Sequence, residues 1–328
     1  MNYRQLGKTG FKVSELSLGT WQVGGGWGAD FDEKTAAHII NAAIDTGVNF
    51  LDTADVYSDG KSENAVSRVV KERRQELFVA TKCGRRLSPH TSQMYTPEAI
   101  TGFVHDSLRN MATDTLDLIQ LHCPPTEVYY RPEIFEAFDR LREQGKIRNL
   151  GVSVEKVEEG LKAIEYPNVT TVQIIFNMFR LRPSELFFAE ARKRNIGIIV
   201  RVPLASGLLS GKYGRNTQFR AGDHRNFNRD GKAFDKGETF SGVPYEVGLD
   251  AVDRLKKILP AGTSMPLAAL RWILMFPEVT TVIPGASSAE QAQQNAGAVD
   301  LPALSAVQME QIRTVYDELI RAHVHYLW

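Results

Sequence analysis

The chain has 328 residues, of which 43% are hydrophobic and 24% charged, and its 39 basic side chains balance its 39 acidic ones. This neutral balance argues against a protein that binds nucleic acid or a membrane surface, and no apolar run reaches the ~18–20 residues of a membrane span. Because the start lacks a secretory signal and the two cysteines form no disulfide framework, we expect a soluble cytoplasmic protein of one domain, residues 1–328.

The first predicted element is a hairpin over residues 3–14, which turns at Lys8, Thr9 and Gly10. Eight short runs of apolar, largely β-branched residues follow, and their continuous apolar character is typical of parallel strands buried on both faces. These predicted strands end at or contain Thr20, Asp52, Lys82, Cys123, Ser153, Asn177, Leu204 and Gly285. The glycine-rich run 24–28, after the first strand, is interpreted as a flexible loop.

Stretches with helical spacing separate the strands and carry recognisable boundary residues. Asp32 is placed to cap the first helix, and Thr96 with Pro97 opens a later one. Pro132 opens a further helix, which Gly145 closes. Eight alternating units predict a closed (β/α)8 TIM barrel, with the hairpin as a plug at its N-terminal end. An open doubly wound sheet is the second interpretation, but its Gly-rich dinucleotide fingerprint is missing.

Two segments lie outside the repeat. The segment 205–245, after the seventh strand, is too long and too polar for an ordinary connection between a strand and a helix. It is interpreted either as a functional loop that clasps a cofactor or as a solvated surface loop without a function. Residues 305–321 are predicted to form an extra amphipathic C-terminal helix. The tail 323–328 either folds back over the site or packs as an ordinary terminus.

Active sites of such barrels lie at the carboxyl ends of the strands. Asp52, Lys82 and His122 stand at the ends of the second, third and fourth strands, and Tyr57 follows in the loop after the second. The Lys82 ammonium would lower the pKa of Tyr57, while Asp52 would hold that ammonium charged and oriented. His122 would donate a hydrogen bond to a substrate oxygen. Each residue alone would more often be structural, but the four together can protonate or polarise a carbonyl oxygen.

The motifs GVNFLDTADVY, ATKCG and LHCPP contain these four residues, while LSLGTW lies near the start and VIPGASSAEQAQQN near the end. On these motifs, and over nearly the whole chain, the sequence resembles the aldo-keto reductase superfamily. The resemblance implies a catalytic tetrad of Asp52, Tyr57, Lys82 and His122 and a nicotinamide cofactor bound without a Rossmann fold. It implies that an aldehyde or ketone is reduced to an alcohol by hydride transfer, with Tyr57 as the general acid.

The resemblance also implies which residues bind the cofactor, from its nicotinamide to its adenosine end. They are Thr20, Trp21, Asp52, Ser153, Gln173, Arg201, Pro203, Leu204, Ser206, Lys212, Gly285, Ser287, Gln291, Gln294 and Asn295. Ser153, Gln173 and Asn295 have a second interpretation, because polar side chains there also satisfy the ends of strands and helices. The substrate pocket is expected to include Trp21, Trp27, Tyr57, His122 and Tyr129, with Tyr130 beside them.

Three positions depart from the family pattern. Arg201 stands where an aromatic side chain commonly stacks on the nicotinamide, and its charge would disfavour an oxidised, cationic ring. Val154 replaces a polar residue, and Ser287 stands where many members carry an arginine for the 2′-phosphate. The positive charge that would bind the 2′-phosphate could instead come from Lys212, Arg220 or Arg225. NADP(H) is therefore the favoured cofactor and NAD(H) the alternative.

Two further function classes stay open. One is a nicotinamide-binding regulatory or auxiliary protein with little turnover, against which the complete tetrad argues. The other is a metal- or carboxylate-dependent hydrolase on the same barrel, for which the strand ends offer too few acids and histidines. Strand alternation is expected to point Cys83 and Cys123 away from the site, as packing residues rather than as redox sensors. The sequence indicates a small-molecule carbonyl substrate and gives no oligomeric state.

Overall fold

The computed structural model describes residues 1–25, 30–260 and 262–328, so that Trp27 and most of the glycine-rich run lie outside the described residues. Its strands are β1 (Tyr3–Gln5), β2 (Lys12–Ser14), β3 (Leu18–Gly19), β4 (Phe50–Asp52), β5 (Phe78–Cys83), β6 (Leu116–His122), β7 (Ile147–Ser153), β8 (Val169–Ile175), β9 (Gly197–Arg201) and β10 (Val279–Val282). Its α-helices are α1 (Glu33–Asp45), α2 (Lys61–Glu72), α3 (Pro97–Asn110), α4 (Pro132–Glu143), α5 (Val157–Ala163), α6 (Phe187–Lys193), α7 (His224–Phe227), α8 (Tyr245–Ile258), α9 (Met265–Leu274), α10 (Ala289–Ala296), α11 (Ala306–Val315) and α12 (Arg321–Val324).

The eight strands β3 to β10 pair in parallel, in chain order, and the last returns to the first. Leu16 bridges to Val282 and Gly19 to Gly285, both in parallel, and the Ser17 N–H donates to the carbonyl of Val282 at 2.9 Å. These contacts close the sheet, which confirms the predicted (β/α)8 barrel and rules out the open doubly wound sheet. The carboxyl ends of all eight strands consequently meet at one rim.

The N-terminal hairpin, β1 paired antiparallel with β2, plugs the opposite end of the barrel as predicted. Leu6, Phe11 and Val13 are buried with side chains from inside the barrel. The ring of Phe11 stacks on that of Phe78, the first residue of β5, with centroids 4.3 Å apart. An apolar plug thus covers this end, and the rim at the strands' carboxyl ends lies on the opposite side of the barrel.

The helix boundaries follow the local signals in the sequence. The Asp32 carboxylate accepts from two backbone N–H groups at the start of α1, and the Thr96 hydroxyl caps α3, whose first residue is Pro97. Pro132 opens α4, and Gly145, beyond its end, has a left-handed φ of 70°. Among the described residues, no helix combines the length and the apolar character needed to cross a membrane.

Three barrel strands end two or more residues earlier than the sequence predicts, and one of these, the eighth barrel strand, ends at Val282 rather than at Gly285. The seventh ends at Arg201 rather than at Leu204, because Val202 has a φ of 51° and turns the chain out of the sheet. The sixth ends at Ile175, before Asn177, whose carbonyl and N–H bond with Arg180 in a tight turn. The turns that follow the sixth and seventh strands lie at the rim, beyond the carboxyl ends of these strands, and not in the barrel core.

The 205–245 segment is folded rather than open. It contains the helical turns Ala205–Ser210, α7, Lys236–Glu238 and Phe240–Gly242. The predicted C-terminal helix is α11, which continues through a π-helical turn, Tyr316–Ile320, into α12. The tail packs back on this segment: the indole N–H of Trp328 donates to Asp235 at 2.9 Å, and the guanidinium of Arg180 lies 3.9 Å from the indole ring.

Candidate active site

The rim brings together the side chains that end β4 and β5. The ammonium of Lys82 forms an ion pair with Asp52 and donates to the carbonyl of Thr53 at 2.9 Å. It also donates to the hydroxyl of Tyr57 at 3.3 Å. Lys82 and Asp52 are each 1% exposed, whereas Tyr57 is half-buried and faces the cleft described below. The buried pair thus presents one fixed cation to the oxygen of the phenol.

The second carboxylate oxygen of Asp52 is held by two amides. Gln120, on β6, donates to it at 3.1 Å, and Gln173, on β8, donates at 2.8 Å. The same amide of Gln173 lies 3.2 Å from the side-chain oxygen of Gln120. Gln120 was not singled out from the sequence, although its place in β6, two residues before His122, was a signal. With both oxygens bonded, the carboxyl group of Asp52 is held in one orientation against Lys82.

Burial and the neighbouring opposite charge shift the pKa of Lys82, and likewise that of Tyr57, in opposite directions. Burial is the largest single influence and would lower the pKa of the Lys82 ammonium, but the charges and hydrogen bonds of Asp52 and Tyr57 together outweigh it, and the pKa of Lys82 is raised. Burial raises the pKa of Tyr57 above 10, and the charge of Lys82 offsets only part of that rise. The sequence-based expectation of a lowered phenol pKa is therefore wrong for the net shift, although Lys82 acts in the expected direction.

His122, at the end of β6, is the fourth residue of this group. Its ring lies edge-on to that of Tyr57, with centroids 6.1 Å apart. Burial, followed by the charges of Arg85, Lys82 and Arg201, puts the pKa of His122 well below 6.5, so the ring is neutral. Its Nδ1 atom is buried and has no hydrogen-bond partner. The structure therefore brings all four predicted tetrad residues together at one rim.

Beside His122 lies a group of four charged residues, Arg85, Glu155, Arg201 and Glu238, which we call the rim cluster. Arg201 donates to Glu155 at 2.7 Å and to the carbonyl of Val154 at 3.1 Å, and it lies 3.6 Å from Glu238. Arg85 forms a close ion pair with Glu238. Although burial opposes it, the two guanidiniums hold the pKa of Glu238 below its usual range, whereas burial raises that of Glu155.

Sequence reasoning missed three members of the rim cluster. Arg85 lies two residues after the end of β5, at the catalytic end of the barrel, and that position was an available signal. Glu238 lies in the 205–245 segment, 153 residues from its partner Arg85, and no local pattern indicates the pairing. Arg201 was predicted, but its neighbours Glu155 and Glu238 were not. The cation at the family's stacking position is therefore paired with carboxylates rather than isolated.

A cleft of about 790 Å³ opens at the rim, a size typical of small-molecule and cofactor sites. Of the predicted cofactor residues, those lining it are Thr20, Trp21, Asp52, Gln173, Arg201, Pro203, Leu204, Ser206, Lys212, Gly285, Ser287 and Gln291. Of the predicted substrate residues, Trp21, Tyr57 and His122 line it. Arg225 also lines the cleft, whereas Arg220 does not.

Several predicted residues are not in the cleft wall. Ser153 is fully buried, and its hydroxyl lies 3.5 Å from the sulfur of Cys123. Asn295 donates to the carbonyl of Gly285 at 3.3 Å, and Gln294 is exposed on the same helix. Tyr129 is completely buried in the outer core, with its hydroxyl 3.3 Å from the Ser153 carbonyl, while Tyr130 is 64% exposed. Trp27 lies outside the described residues.

The side chains of the two cysteines point into different surroundings. Cys83 points into the layer between barrel and helices, as strand alternation predicts. Cys123 lies beyond the end of β6 with a φ of 48°, so alternation no longer applies, and its sulfur lies 3.5 Å from Arg201. Burial raises the pKa of both thiols, which favours their protonated form.

In the described part of the chain, one group of side chains has the spacing of metal ligands. The ligand atoms of Cys123, Glu155 and Glu238 lie within 4.8 Å of one another. The guanidinium of Arg201 contacts all three, so the positive charge that would satisfy these acids is already supplied by the protein. This arrangement disfavours the metal-dependent hydrolase considered from the sequence.

The motif that contains Asp52 and Tyr57 contains a second buried aspartate, Asp55. Its side chain is fully enclosed and neither of its oxygens has a hydrogen-bond partner. Burial, with the charge of Glu63 second, raises the pKa of Asp55 to about 7. A motif residue that the sequence did not single out is therefore a buried acid that titrates near neutral pH.

Comparison with known proteins gives consistent results. The model of the Aldo/keto reductase family matches residues 15–317. Aldo-keto reductase YhdN of Bacillus subtilis (strain 168) is 32% identical over 302 residues, covering 89% of this chain and 87% of that protein. The NADH-specific methylglyoxal reductase of Escherichia coli (strain K12) is 28% identical over 319 residues, covering 90% and 93%. The holo form of aldo-keto reductase AKR11C1 from Bacillus halodurans superposes with a TM-score of 0.76 at 29% identity, covering 96% of each chain.

Proposed function

The chain belongs to the Aldo/keto reductase family, and from that premise we propose that it reduces an aldehyde or ketone to an alcohol with NADP(H), using Tyr57 as the general acid. The observation that carries the proposal is the contact of Lys82 with both Asp52 and Tyr57 at the floor of the cleft. That contact places a fixed positive charge beside a phenol that faces the substrate space.

The chain's own residues account for the proton transfer. Because burial raises the pKa of Tyr57, its hydroxyl carries its proton at neutral pH, as a general acid must. When a carbonyl oxygen takes that proton, the phenolate left behind lies 3.3 Å from the Lys82 ammonium, which stabilises it. A bound nicotinamide would supply the hydride to the carbonyl carbon. Asp52 keeps Lys82 charged throughout the cycle.

The cleft fits a dinucleotide by size and by the chemistry of its walls. Trp21 and Arg201 line the cleft with Tyr57, and Lys212, Ser287 and Gln291 add cationic and polar groups to its wall. The first residue of α10 follows Ser288 directly, so backbone N–H groups at that helix start suit an anion. These residues would hold the nicotinamide and the phosphate-bearing half respectively.

Two observations bear on the choice of cofactor. Lys212 and Arg225 both line the cleft and are the cations that we propose for the 2′-phosphate, in place of the arginine that Ser287 replaces. Arg201, whose charge would disfavour an oxidised nicotinamide, lies 3.6 Å from Glu238, whose lowered pKa keeps that carboxylate ionised so that it offsets the charge. NADP(H) is therefore our proposal, and NAD(H), named for one relative, is the alternative.

A regulatory protein that holds the cofactor with little turnover is the second candidate, and the complete tetrad argues against it. The test is fluorescence titration with NADPH and NADH, followed by a panel of neutral aldehydes and ketones with the tighter cofactor. We expect NADPH to bind more tightly and at least one carbonyl to be reduced. Tight cofactor binding without turnover of any carbonyl would favour the regulatory protein, and failure to bind either cofactor would refute both candidates.

A further inference from the structure

Three rings lie side by side in the wall of the cleft, and we call Trp21, His224 and Phe234 together the aromatic wall. The ring of His224 lies edge-on to that of Trp21, with centroids 4.9 Å apart, and 6.2 Å from that of Phe234. Trp21 was expected in the pocket, but nothing in the resemblance or in the comparisons assigns a role to His224 or Phe234. Both belong to the 205–245 segment, so this segment contributes most of the aromatic wall.

The aromatic wall adjoins the tetrad at both of its ends. The ring centre of Phe234 lies 5.7 Å from the guanidinium carbon of Arg85, which in turn contacts His122 at 3.3 Å. At the other end, the backbone N–H just before Trp21 donates to the carbonyl of Asp52 at 2.9 Å. A carbonyl compound that presents its oxygen to the phenol of the tetrad consequently has the aromatic wall beside the rest of its skeleton.

Hydrogen bonds and an ion pair hold Phe234 in this place. Its backbone N–H donates to the side-chain oxygen of Asn228 at 3.1 Å, and Asn228 is itself fully buried. Four residues further on, Glu238 forms its close ion pair with Arg85. Since the segment is fixed on both sides of the ring, the ring meets a ligand without the entropy cost of ordering a loop.

The aromatic wall offers uncharged ring surface. Burial lowers the pKa of His224 to about 4, although the carboxylate of Asp223 acts in the opposite direction, so the imidazole is neutral near pH 7. The adjoining cation, Arg85, already has Glu238 as its partner. A ligand therefore gains little from ionic contacts with this part of the cleft, whereas a planar ring gains edge-on and offset contacts that a saturated group lacks.

Resting on the proposed function, we infer that the carbonyl substrate is an aryl aldehyde or aryl ketone whose ring packs on the aromatic wall. Phe234 and His224 are then specificity-determining residues, which act on the binding of the substrate and not on the transfer of hydride or proton. The rival class is a small hydroxylated aldehyde, for which His224 and Glu238 would serve as hydrogen-bond acceptors.

The first test compares aldehydes that differ in their skeleton alone. Benzaldehyde and cyclohexanecarbaldehyde have the same number of carbon atoms, but only benzaldehyde is planar and aromatic. Conjugation makes its carbonyl the less reactive of the two towards hydride, so a higher kcat/KM for benzaldehyde comes from contacts with the protein. We expect wild type to reduce benzaldehyde with the highest kcat/KM, ahead of cyclohexanecarbaldehyde and glyceraldehyde. A higher value for either of the other two aldehydes would overturn the inference.

The second test removes one ring of the aromatic wall. Phe234→Leu should raise the KM for benzaldehyde by roughly 2–12-fold, the range for one lost aromatic pair, and leave the KM for cyclohexanecarbaldehyde within about twofold of wild type. The value of kcat should stay unchanged, because the bound substrate and its transition state make these contacts equally. The matched control is Phe103→Leu, a partly buried phenylalanine of α3 outside the cleft wall, which should change neither KM.

Two variants of His224 separate ring packing from hydrogen bonding. His224→Phe keeps a ring but removes both nitrogen atoms, so it should leave the KM for benzaldehyde within about twofold of wild type. His224→Leu should raise this KM by the same roughly 2–12-fold as Phe234→Leu. A KM for glyceraldehyde that rises in His224→Phe, with that for benzaldehyde equal in all variants, would overturn the aryl class in favour of the hydroxylated one.

Binding measured without turnover separates this inference from the proposed function. Fluorine NMR of para-fluorobenzaldehyde, with NADP⁺ present so that no reduction occurs, gives its Kd for wild type and for Phe234→Leu. Weaker binding to the variant, with no carbonyl reduced by wild type and NADPH, would refute the proposed function yet support the aromatic wall as an aryl-binding site. Carbonyl reduction with equal Kd and equal KM in wild type and Phe234→Leu would overturn the aryl inference alone.

Discussion

Replacing Asp55 by Asn should stabilise the protein, and the gain should grow with pH. Burial, with the charge of Glu63 second, raises the pKa of Asp55 to about 7 in the folded chain, whereas an aspartate in an unfolded chain titrates near ~3.9. Between these values the folded chain keeps a proton that the unfolded chain has lost. The free energy of unfolding therefore falls as pH rises, by about 1.4 kcal/mol per pH unit.

Above pH 7 both states carry the ionised carboxylate, and the full penalty is about 4 kcal/mol, from a shift of roughly three pKa units at about 1.4 kcal/mol each. Asn has the shape of the protonated acid and cannot ionise, so Asp55→Asn should match wild type near pH 4 and exceed it by about 4 kcal/mol at pH 8. Urea unfolding at pH 4, 6 and 8 measures this difference.

The matched control for Asp55→Asn is Asp253→Asn, because the side chain of Asp253 is 73% exposed and its removal should change stability little at any pH. A gain for Asp55→Asn that is the same at pH 4 and pH 8 would show that the variant acts by packing rather than by removing a buried charge. Equal stability of variant and wild type at pH 8 would refute the reasoning.

Three further changes test other parts of the structure. Tyr57→Phe should cut kcat by roughly 10²–10⁴-fold and leave the Kd for NADPH nearly unchanged in a fluorescence titration; near-normal turnover would remove Tyr57 from the mechanism. Lys212→Met should weaken NADPH binding by about tenfold and NADH binding little, and an equal effect on both would exclude a contact with the 2′-phosphate. Trp328→Ala should destabilise the chain by about 3 kcal/mol, measured by urea unfolding, because it removes a buried indole that contacts Asp235 and Arg180.

The arrangement of the tetrad could be predicted from the sequence because it depends on strand ends alone. In a closed parallel barrel every strand delivers its last residues to the same rim, so Asp52, Lys82 and His122 had to meet once their strands were recognised. The motif that carries Tyr57 placed the phenol in the adjoining loop. Helix caps such as Asp32 were predictable for the same reason, since the interaction spans only a few residues.

The other features of the site, such as the rim cluster, depended on contacts between segments that are distant in the sequence. The pairing of Arg85 with Glu238 joins a strand end to a segment 153 residues away, and no periodicity or short motif encodes such a distance. The positive φ of Cys123 turned its side chain toward Arg201, against the alternation of the strand before it.

The sequence by itself determined the barrel, its plug and which four polar side chains meet at the rim, because apolar periodicity and strand order are local properties of the chain. Tertiary structure alone decided how deeply each charge is buried. Burial set the raised pKa of Tyr57 and of Asp55, and packing placed a guanidinium against His122. A pKa is a property of an environment, and that environment exists only after the segments that form it have come together.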